Sequence, residues 1–247
     1  MNVSIILPCF NSEKFISNSY IRLKKKIKEL NLKPEIIFID DGSEDKTYES
    51  LKILKKKNKR IKIFKNKFNM GKSFSLIKAI KKSKNQAIVI WDCDLPYINR
   101  FNKIVLELKK YDLVLIDRNQ KKSKFITKKL NFYQFSRLIV GKMVSLSLSL
   151  IICKNFIGDT QAGLKSFKKP KNFNKIKFIS KKFFFDAELI SLFSNSQKKI
   201  LSIPINYSIA YATSSTIKIF CFNNFVYLWE FLKIIFNKIF TKNVYLN

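Results

Sequence analysis

The stretch Ala87-Ile88-Val89-Ile90-Trp91-Asp92-Cys93-Asp94-Leu95-Pro96 decides the fold. Its five apolar residues form a run too short for a helix and rich in β-branched side chains, so they read as a buried strand. Asp92 and Asp94 then stand at the strand's carboxyl end, where open α/β sheets place their ligands. Two hard oxygen donors on one rim suit a divalent cation, which would in turn hold the phosphates of a nucleotide. Taken by itself, the pair is better read as a solvated turn. The surrounding sequence has to choose.

On either side of this strand, short apolar runs alternate with basic amphipathic segments. Strands are expected over 3–7, 35–40, 61–65 and 113–116, and helices over 13–30, 45–57, 72–82 and 98–109. A βαβ series of this kind implies a mainly parallel sheet covered on both faces, with function along the carboxyl ends of its strands. Helical stripes such as Phe74, Ile77 and Ile80 read as core-facing and carry no chemistry. After Arg118 comes a basic loop, then an apolar helix pair, the run Gly158-Asp159-Thr160-Gln161-Ala162-Gly163, a helix over 186–194 and a strand over 200–207. No repeat or Pro/Gly-rich linker divides the chain. One α/β domain over 1–210 is expected, with 211–247 as an amphipathic, apolar C-terminal appendage.

Composition narrows the chemistry. The 247 residues contain no His, which removes Ser-His-Asp and Cys-His nucleophiles, His-based zinc sites and the usual general base. Carboxylates, Lys, Arg and metals must do the work. The four cysteines, Cys9, Cys93, Cys153 and Cys221, form no C-x-x-C pair and read as reduced thiols. A net charge of +32 is carried mostly by Lys spread over many helices and not in one stripe, so it is weak evidence for any particular partner, though it would draw the protein toward an anionic membrane surface at low salt. No nucleic-acid partner is expected. Residues 1–8 run into a strand without a basic leader or cleavage site, so a secretory signal is not expected. The apolar segments 138–157 and 217–240 are interrupted by Lys142 and Lys154, and by Lys218, Glu230, Lys233 and Lys238. Interfacial helices are therefore expected in preference to membrane crossings. For the tail, burial against the domain or a partner subunit is the alternative.

The five glycines form no G-x-G, so neither the dinucleotide fingerprint nor the P-loop is present. Acids and amides do stand at two further strand ends, in Leu7-Pro8-Cys9-Phe10-Asn11-Ser12-Glu13 and in Ile39-Asp40-Asp41-Gly42-Ser43-Glu44-Asp45-Lys46-Thr47. They could accept from base N–H groups and sugar hydroxyls, or serve only as turns and helix caps.

Together with Asn69-Met70-Gly71-Lys72-Ser73 and Asp92-Cys93-Asp94-Leu95, these motifs resemble the family 2 glycosyltransferases of the GT-A fold. That family's pattern is P-x-Y-N-E, D-D-G-S-x-D-x-T, N-x-G-K/R and D-x-D; Phe10 stands where Tyr is usual. Gly158 to Phe167 and Phe184-Phe185-Asp186-Ala187-Glu188-Leu189 resemble the D-T-Q-C-G-F-K and F-D-x-E-L signatures of the branch that makes polyprenyl-phosphate sugars, the dolichyl-phosphate glucosyl- and mannosyltransferases. Leu113 to Arg118 is similar to that branch's strand ending in Ser-Arg, with Asp117 for Ser. The likeness spans residues 2–207 and leaves out the tail.

The resemblance implies roles. Pro8, Asn11 and Glu13 would shape the first loop over the nucleotide-sugar, Asp41 would hold base or ribose, and Lys72 would approach the diphosphate unless it is merely a solvated first-turn lysine. Asp92 and Asp94 would contact ribose and metal, Mg²⁺ or Mn²⁺. Asp94, Asp159 and Arg118 are the catalytic candidates. Arg118 and Arg137 would meet the acceptor phosphate, with Thr160 and Gln161 beside them, although Arg137 fits a headgroup anchor as well. Asp186 and Glu188 cannot share a helical face, so at most one points into the site. A lipid phosphate is already anionic at neutral pH, and the lack of His costs this chemistry nothing. The implied activity is inverting, metal-dependent transfer of a hexose from a nucleotide-sugar to a polyprenyl phosphate or another lipid-linked acceptor at the cytoplasmic membrane face. Pro96 stands where many mannosyl-type relatives carry a Gln metal ligand, and Ala162 and Leu164 depart from the acceptor signature.

Overall fold

The computed structural model describes residues 2–126, 131–208 and 224–240. Seven strands form one sheet: β1 (Val3–Cys9), β2 (Glu35–Asp40), β3 (Ile61–Lys65), β4 (Ala87–Trp91), β5 (Leu113–Asp117), β7 (Leu164–Lys168) and β8 (Ile200–Pro204). Their order is β3-β2-β1-β4-β7-β5-β8. A small ribbon pairs β6 (Lys124–Phe125) with β9 (Asn206–Tyr207). The sheet is parallel except for β7, which runs antiparallel to both β4 and β5. From β1 the order departs to β2 on one side and β4 on the other. The crevice between the ends of β1 and β4 is therefore a topological switch point, the place where such sheets bind ligands.

Strands buried on both faces tend to be apolar throughout; β4 is, and β1, β2 and β5 are over most of their length. Ile5 and Leu7 of β1 face one core with Ile16 and Leu23 of α1 (Glu13–Glu29), Leu51 and Leu54 of α2 (Thr47–Lys57), and Phe101 and Ile104 of α4 (Phe101–Glu107). Ile6, between them, faces the other, formed with Leu76 and Ile80 of α3 (Lys72–Lys82) and Phe185 and Leu189 of α6 (Phe185–Asn195). Two layers of helix thus enclose the sheet.

The expected elements of the first half are present, with α2 starting at Thr47 and α4 preceded by a 3₁₀ turn at Ile98–Arg100. The second half differs more. The strand expected over 200–207 is two, broken after Pro204, which cannot donate to a ladder and sits on the edge strand. The expected helix pair is one helix, α5 (Phe132–Ile152), opened by a capping box between Asn131 and Gln134. Lys154 falls beyond its end, and Gln134–Ile152 is long and apolar enough, by length and composition, to cross a membrane.

The tail helix α7 (Asn224–Phe240) packs Tyr227, Phe231 and Ile234 against Leu148 and Ile152 of α5 and Phe184 and Ala187 at the start of α6. Its other side is apolar and open: Phe225 is 74% and Trp229 70% exposed. Along α5, Phe132, Met143 and Leu150 are likewise exposed. The boundary expected at 210 falls outside the described residues.

Candidate active site

The first and second strand ends are laced together by their own polar side chains. Asn11, at φ 46°, donates its N–H to Ser43 Oγ (3.0 Å) and accepts the Glu44 N–H at Oδ1 (3.0 Å). Glu13 accepts from the Lys46 N–H (3.3 Å) and donates its own N–H to Asp45 (3.1 Å). Asp45 also accepts the Thr47 N–H (3.0 Å). Pro8, the last but one residue of β1, aligns with Ile39 of β2. These residues shape the two loops by binding each other.

Asp41 differs from expectation. Its carboxylate is buried and accepts from Asn66 Nδ2 (2.7 Å), Ser75 Oγ (2.9 Å) and the N–H groups of Met70 (3.0 Å) and Gly71 (2.8 Å). Four donors fill a carboxylate's acceptor capacity. Asp41 therefore builds the loop ahead of α3 instead of presenting an oxygen to base or ribose. Its neighbour Asp40 accepts twice from Ser43 at Oδ1 and keeps a buried Oδ2 without a hydrogen-bond partner.

At the end of β4, Asp92 and Asp94 come together with Lys72, the first residue of α3. Lys72 Nζ lies 2.6 Å from Asp92 Oδ1 and 3.7 Å from Asp186 Oδ2. Asp186 in turn holds the buried Lys165 of β7 at 2.6 Å. Acid and base alternate along this chain of four. Burial works against the Lys72 charge, but Asp92 and Asp186 outweigh it and keep the ammonium protonated beyond its ordinary range. Burial, then the Asp92 charge, pushes the Asp94 carboxyl up to about 6. The two acids stand one residue apart at the strand end, and their donors are hard oxygens. A divalent cation fits there. Among the described residues no cluster of three or more His, Cys, Asp or Glu has metal-site geometry, so the two acids would need a ligand's oxygens to complete the shell.

Backbone geometry presents these acids. The Asp92 N–H donates to the Gly163 carbonyl (2.9 Å), and a Cβ at Gly163 would overlap Asp92 Oδ2 and approach Pro96 Cγ to 3.1 Å. Pro96, where a third ligand was sought, accepts Trp91 Nε1–H at its carbonyl (2.8 Å).

Across β7 lies the second half of the site. Arg118, just past β5, grips Asp159 with Nε (2.5 Å to Oδ2) and Nη2 (2.9 Å to Oδ1). Burial raises the Asp159 carboxyl, but Arg118 outweighs it and holds the acid below the ordinary carboxylate range. Asp159 is wholly buried, so it acts through Arg118 and not on a substrate. Thr160 differs from expectation too: it is buried, with its N–H donated to Ser145 Oγ of α5 (2.8 Å). Gln161, half-buried, donates its N–H to Asp159 Oδ1 (3.0 Å) and keeps a buried Nε2 without a partner. The Arg137 side chain lies outside the described residues.

Sequence reasoning missed Tyr97 and Lys165. Tyr97 adopts φ 59° after Pro96, and burial raises its phenol while Arg118, Asp159 and Asp92 all act on it electrostatically. Its ring packs against the core that includes Trp91 and Leu95. Lys165 was hidden in a stretch read only as a signature. The alternatives left at Asp186 and Glu188 resolve cleanly: Asp186 faces Lys72 and Lys165, while Glu188 accepts the N–H groups of Ile179 (2.9 Å) and Ser180 (2.7 Å).

A sheet of this order, with acids and amides ranged along the ends of β1, β2 and β4, is the nucleotide-sugar-binding GT-A fold. It is shared with a mannosyltransferase of Pyrobaculum calidifontis solved with GDP-Man and Mn²⁺ (TM-score 0.56, 15% identity, 85% of this chain and 58% of that one). Glucosyl-3-phosphoglycerate synthase of Mycobacterium tuberculosis, solved with uridine diphosphate, is similar (TM-score 0.57, 15% identity, 94% and 79%). At such identities the likeness is one of fold. The chain belongs to glycosyl transferase family 2, whose pattern matches residues 4–143, more than half its length. A dolichyl-phosphate beta-glucosyltransferase of Dictyostelium discoideum is 25% identical over 221 residues, 83% of this chain and 66% of its own. The chain spans less than half the length of three bacterial glycosyltransferase relatives.

Proposed function

We propose that the protein transfers a hexose, with inversion, from a UDP- or GDP-sugar to a polyprenyl phosphate at the cytoplasmic face of a membrane. The observation that carries this reading is the pairing of two sites across β7: an acid pair with Lys72 on one side, and an arginine clamped by a buried acid on the other. Asp92 and Asp94 would hold Mg²⁺ or Mn²⁺, and Lys72 is already charged for a diphosphate. When bound there, the cation neutralises the phosphates of the departing nucleoside diphosphate. Support for such a donor comes from the GDP-Man and Mn²⁺ of the Pyrobaculum relative.

On the acceptor side Arg118 gives two of its five N–H donors to Asp159, which leaves three for a phosphate. A planar guanidinium suits that geometry, and Asp159 keeps it oriented. The dolichyl-phosphate named for the Dictyostelium relative supports a lipid phosphate as acceptor. So do the open apolar faces of α5 and α7. A membrane-surface placement is favoured over a crossing because α5 is fastened mid-length: Ser145 and Ser149 bond to Thr160 and to the Ile157 N–H (2.7 Å). Drawing α5 into a bilayer would break those bonds.

Incubation of the enzyme with radiolabelled UDP- and GDP-sugars and undecaprenyl phosphate in vesicles, with and without chelator, tests the reading. Chelator-sensitive label in the lipid phase is expected. No label there with any donor would sink it, and label that appears only when a lipid-linked glycan replaces the simple phosphate would move the acceptor to surface-glycan assembly.

A further inference from the structure

A carboxylate in the middle of an apolar helix needs a reason, because burying it costs several kcal/mol unless its oxygens are satisfied. Glu230 of α7 is buried, and its partners are three consecutive backbone N–H groups: Lys181 (2.6 Å) and Lys182 (2.8 Å) on Oε1, and Phe183 (2.9 Å) on Oε2. Charge-assisted bonds of this length to a converging set of amides form a firm anchor. What they anchor is the segment that caps α3.

The carbonyls of Lys181 and Lys182 accept the N–H groups of Phe74 (2.9 Å) and Ser73 (3.1 Å), two of the donors that a helix leaves unpaired in its first turn. Ser180 Oγ meets Ser73 Oγ at 2.7 Å, and Ser73 Oγ accepts the Phe185 N–H (3.0 Å). Gly71, at φ 106°, lies so close that a Cβ there would stand 2.6 Å from Lys182 Cα. The first residue of the turn so held is Lys72, and the helix that starts just after the segment brings Asp186 to Lys72 and Lys165. An unbroken path of hydrogen bonds thus runs from the tail helix to the donor end of the sheet.

We propose that Glu230 is a positioning residue for the nucleoside-diphosphate site: it fixes residues 181–183, which hold the first turn of α3 and set Lys72 against Asp92. The tail is then part of the donor site, and whatever seats α7 also assembles that site. This rests on the donor role given to Lys72 above, while the chain of contacts itself does not.

The test uses Glu230→Ala and Glu230→Gln in the full-length protein. Amide hydrogen exchange at Ser73 and Phe74 reads the contact chain directly, and calorimetry with UDP or GDP plus Mn²⁺ reads the site. In Glu230→Ala the two amides exchange at least tenfold faster while those of β1, β2 and β4 keep their protection, and nucleotide Kd rises about tenfold. Glu230→Gln, which keeps one acceptor oxygen but no charge, falls between that variant and wild type in both measurements, and it decides alone should the alanine variant not fold. Protection at Ser73 and Phe74 and nucleotide Kd within twofold of wild type, in a folded variant, would overturn the proposal. If the wild type binds neither nucleotide, the donor reading falls, and unchanged exchange would still sink the coupling.

Discussion

Gly163 and Asp92 are so close that position 163 has no room for a side chain: a Cβ there would stand 2.8 Å from Asp92 Cγ. The obstacle is a carboxyl that can rotate, not backbone. Gly163→Ala is therefore expected to displace the Asp92 carboxylate from Lys72 and leave the fold intact. A fall in kcat/KM of about tenfold or more, worth roughly 1.4 kcal/mol, with a melting temperature close to wild type, is the expected pattern. Wild-type kinetics in this variant would mean that the position of Asp92 is not critical.

Lys165 and Asp186 form a pair almost wholly shielded from water. Removing one partner leaves an uncompensated buried charge, which costs about 3–5 kcal/mol. Lys165→Met should fall near the low end, because Lys72 remains 3.7 Å from Asp186. The double variant Lys165→Met/Asp186→Leu is expected to regain most of that loss in urea denaturation. A double variant less stable than the single one would show that the pair is not an isolated unit.

Arg118 holds the Asp159 carboxyl low against the upward push of burial, and the net shift is downward. A carboxyl held low in the fold stabilises it above the unfolded value of about 3.9, and the contribution disappears as pH falls through the lowered value. Asp159→Asn is thus expected to melt below wild type at pH 7, with the gap closing below about pH 4. Melting curves at pH 7, 5 and 3 measure it. A gap that stays constant with pH would assign the loss to packing.

Leu228 and Trp229 are exposed on α7, whose other side packs on α5. Charges placed there meet no core. Leu228→Glu/Trp229→Glu is expected to abolish sedimentation with anionic phosphatidylglycerol vesicles while leaving the melting temperature within about 2 °C, since exposed substitutions usually change stability by no more than about 0.5 kcal/mol. Undiminished vesicle binding would refute the membrane-surface reading of α7.

The first half of the chain was legible because each element declared itself locally. Strands such as Ile88 to Trp91 are uninterrupted apolar runs, and the helices carry clean stripes. β7 was not legible, since a strand reading Leu-Lys-Ser-Phe-Lys hides its burial: Lys165 is inside only because Asp186, twenty-one residues on, arrives to pair with it. Asp41 illustrates a different blind spot. Its residue type and place suggested a ligand contact, but Asn66, Met70, Gly71 and Ser75 claim its oxygens, and no local pattern announces four such donors. Glu230 looked like an interruption of an apolar helix, and its partners lie some fifty residues earlier.

The reversed strand β7 also acts as a spacer. It separates β4 from β5, so the ends that carry Asp92 and Arg118 stand two strand widths apart, roughly 10 Å at about 4.8 Å per strand. The loop that leads into it, residues 158–163, touches both ends, through Gly163 at Asp92 and Asp159 at Arg118. The hydrogen-bond spacing of the sheet thereby fixes the distance at which the acid pair and the clamped arginine face each other.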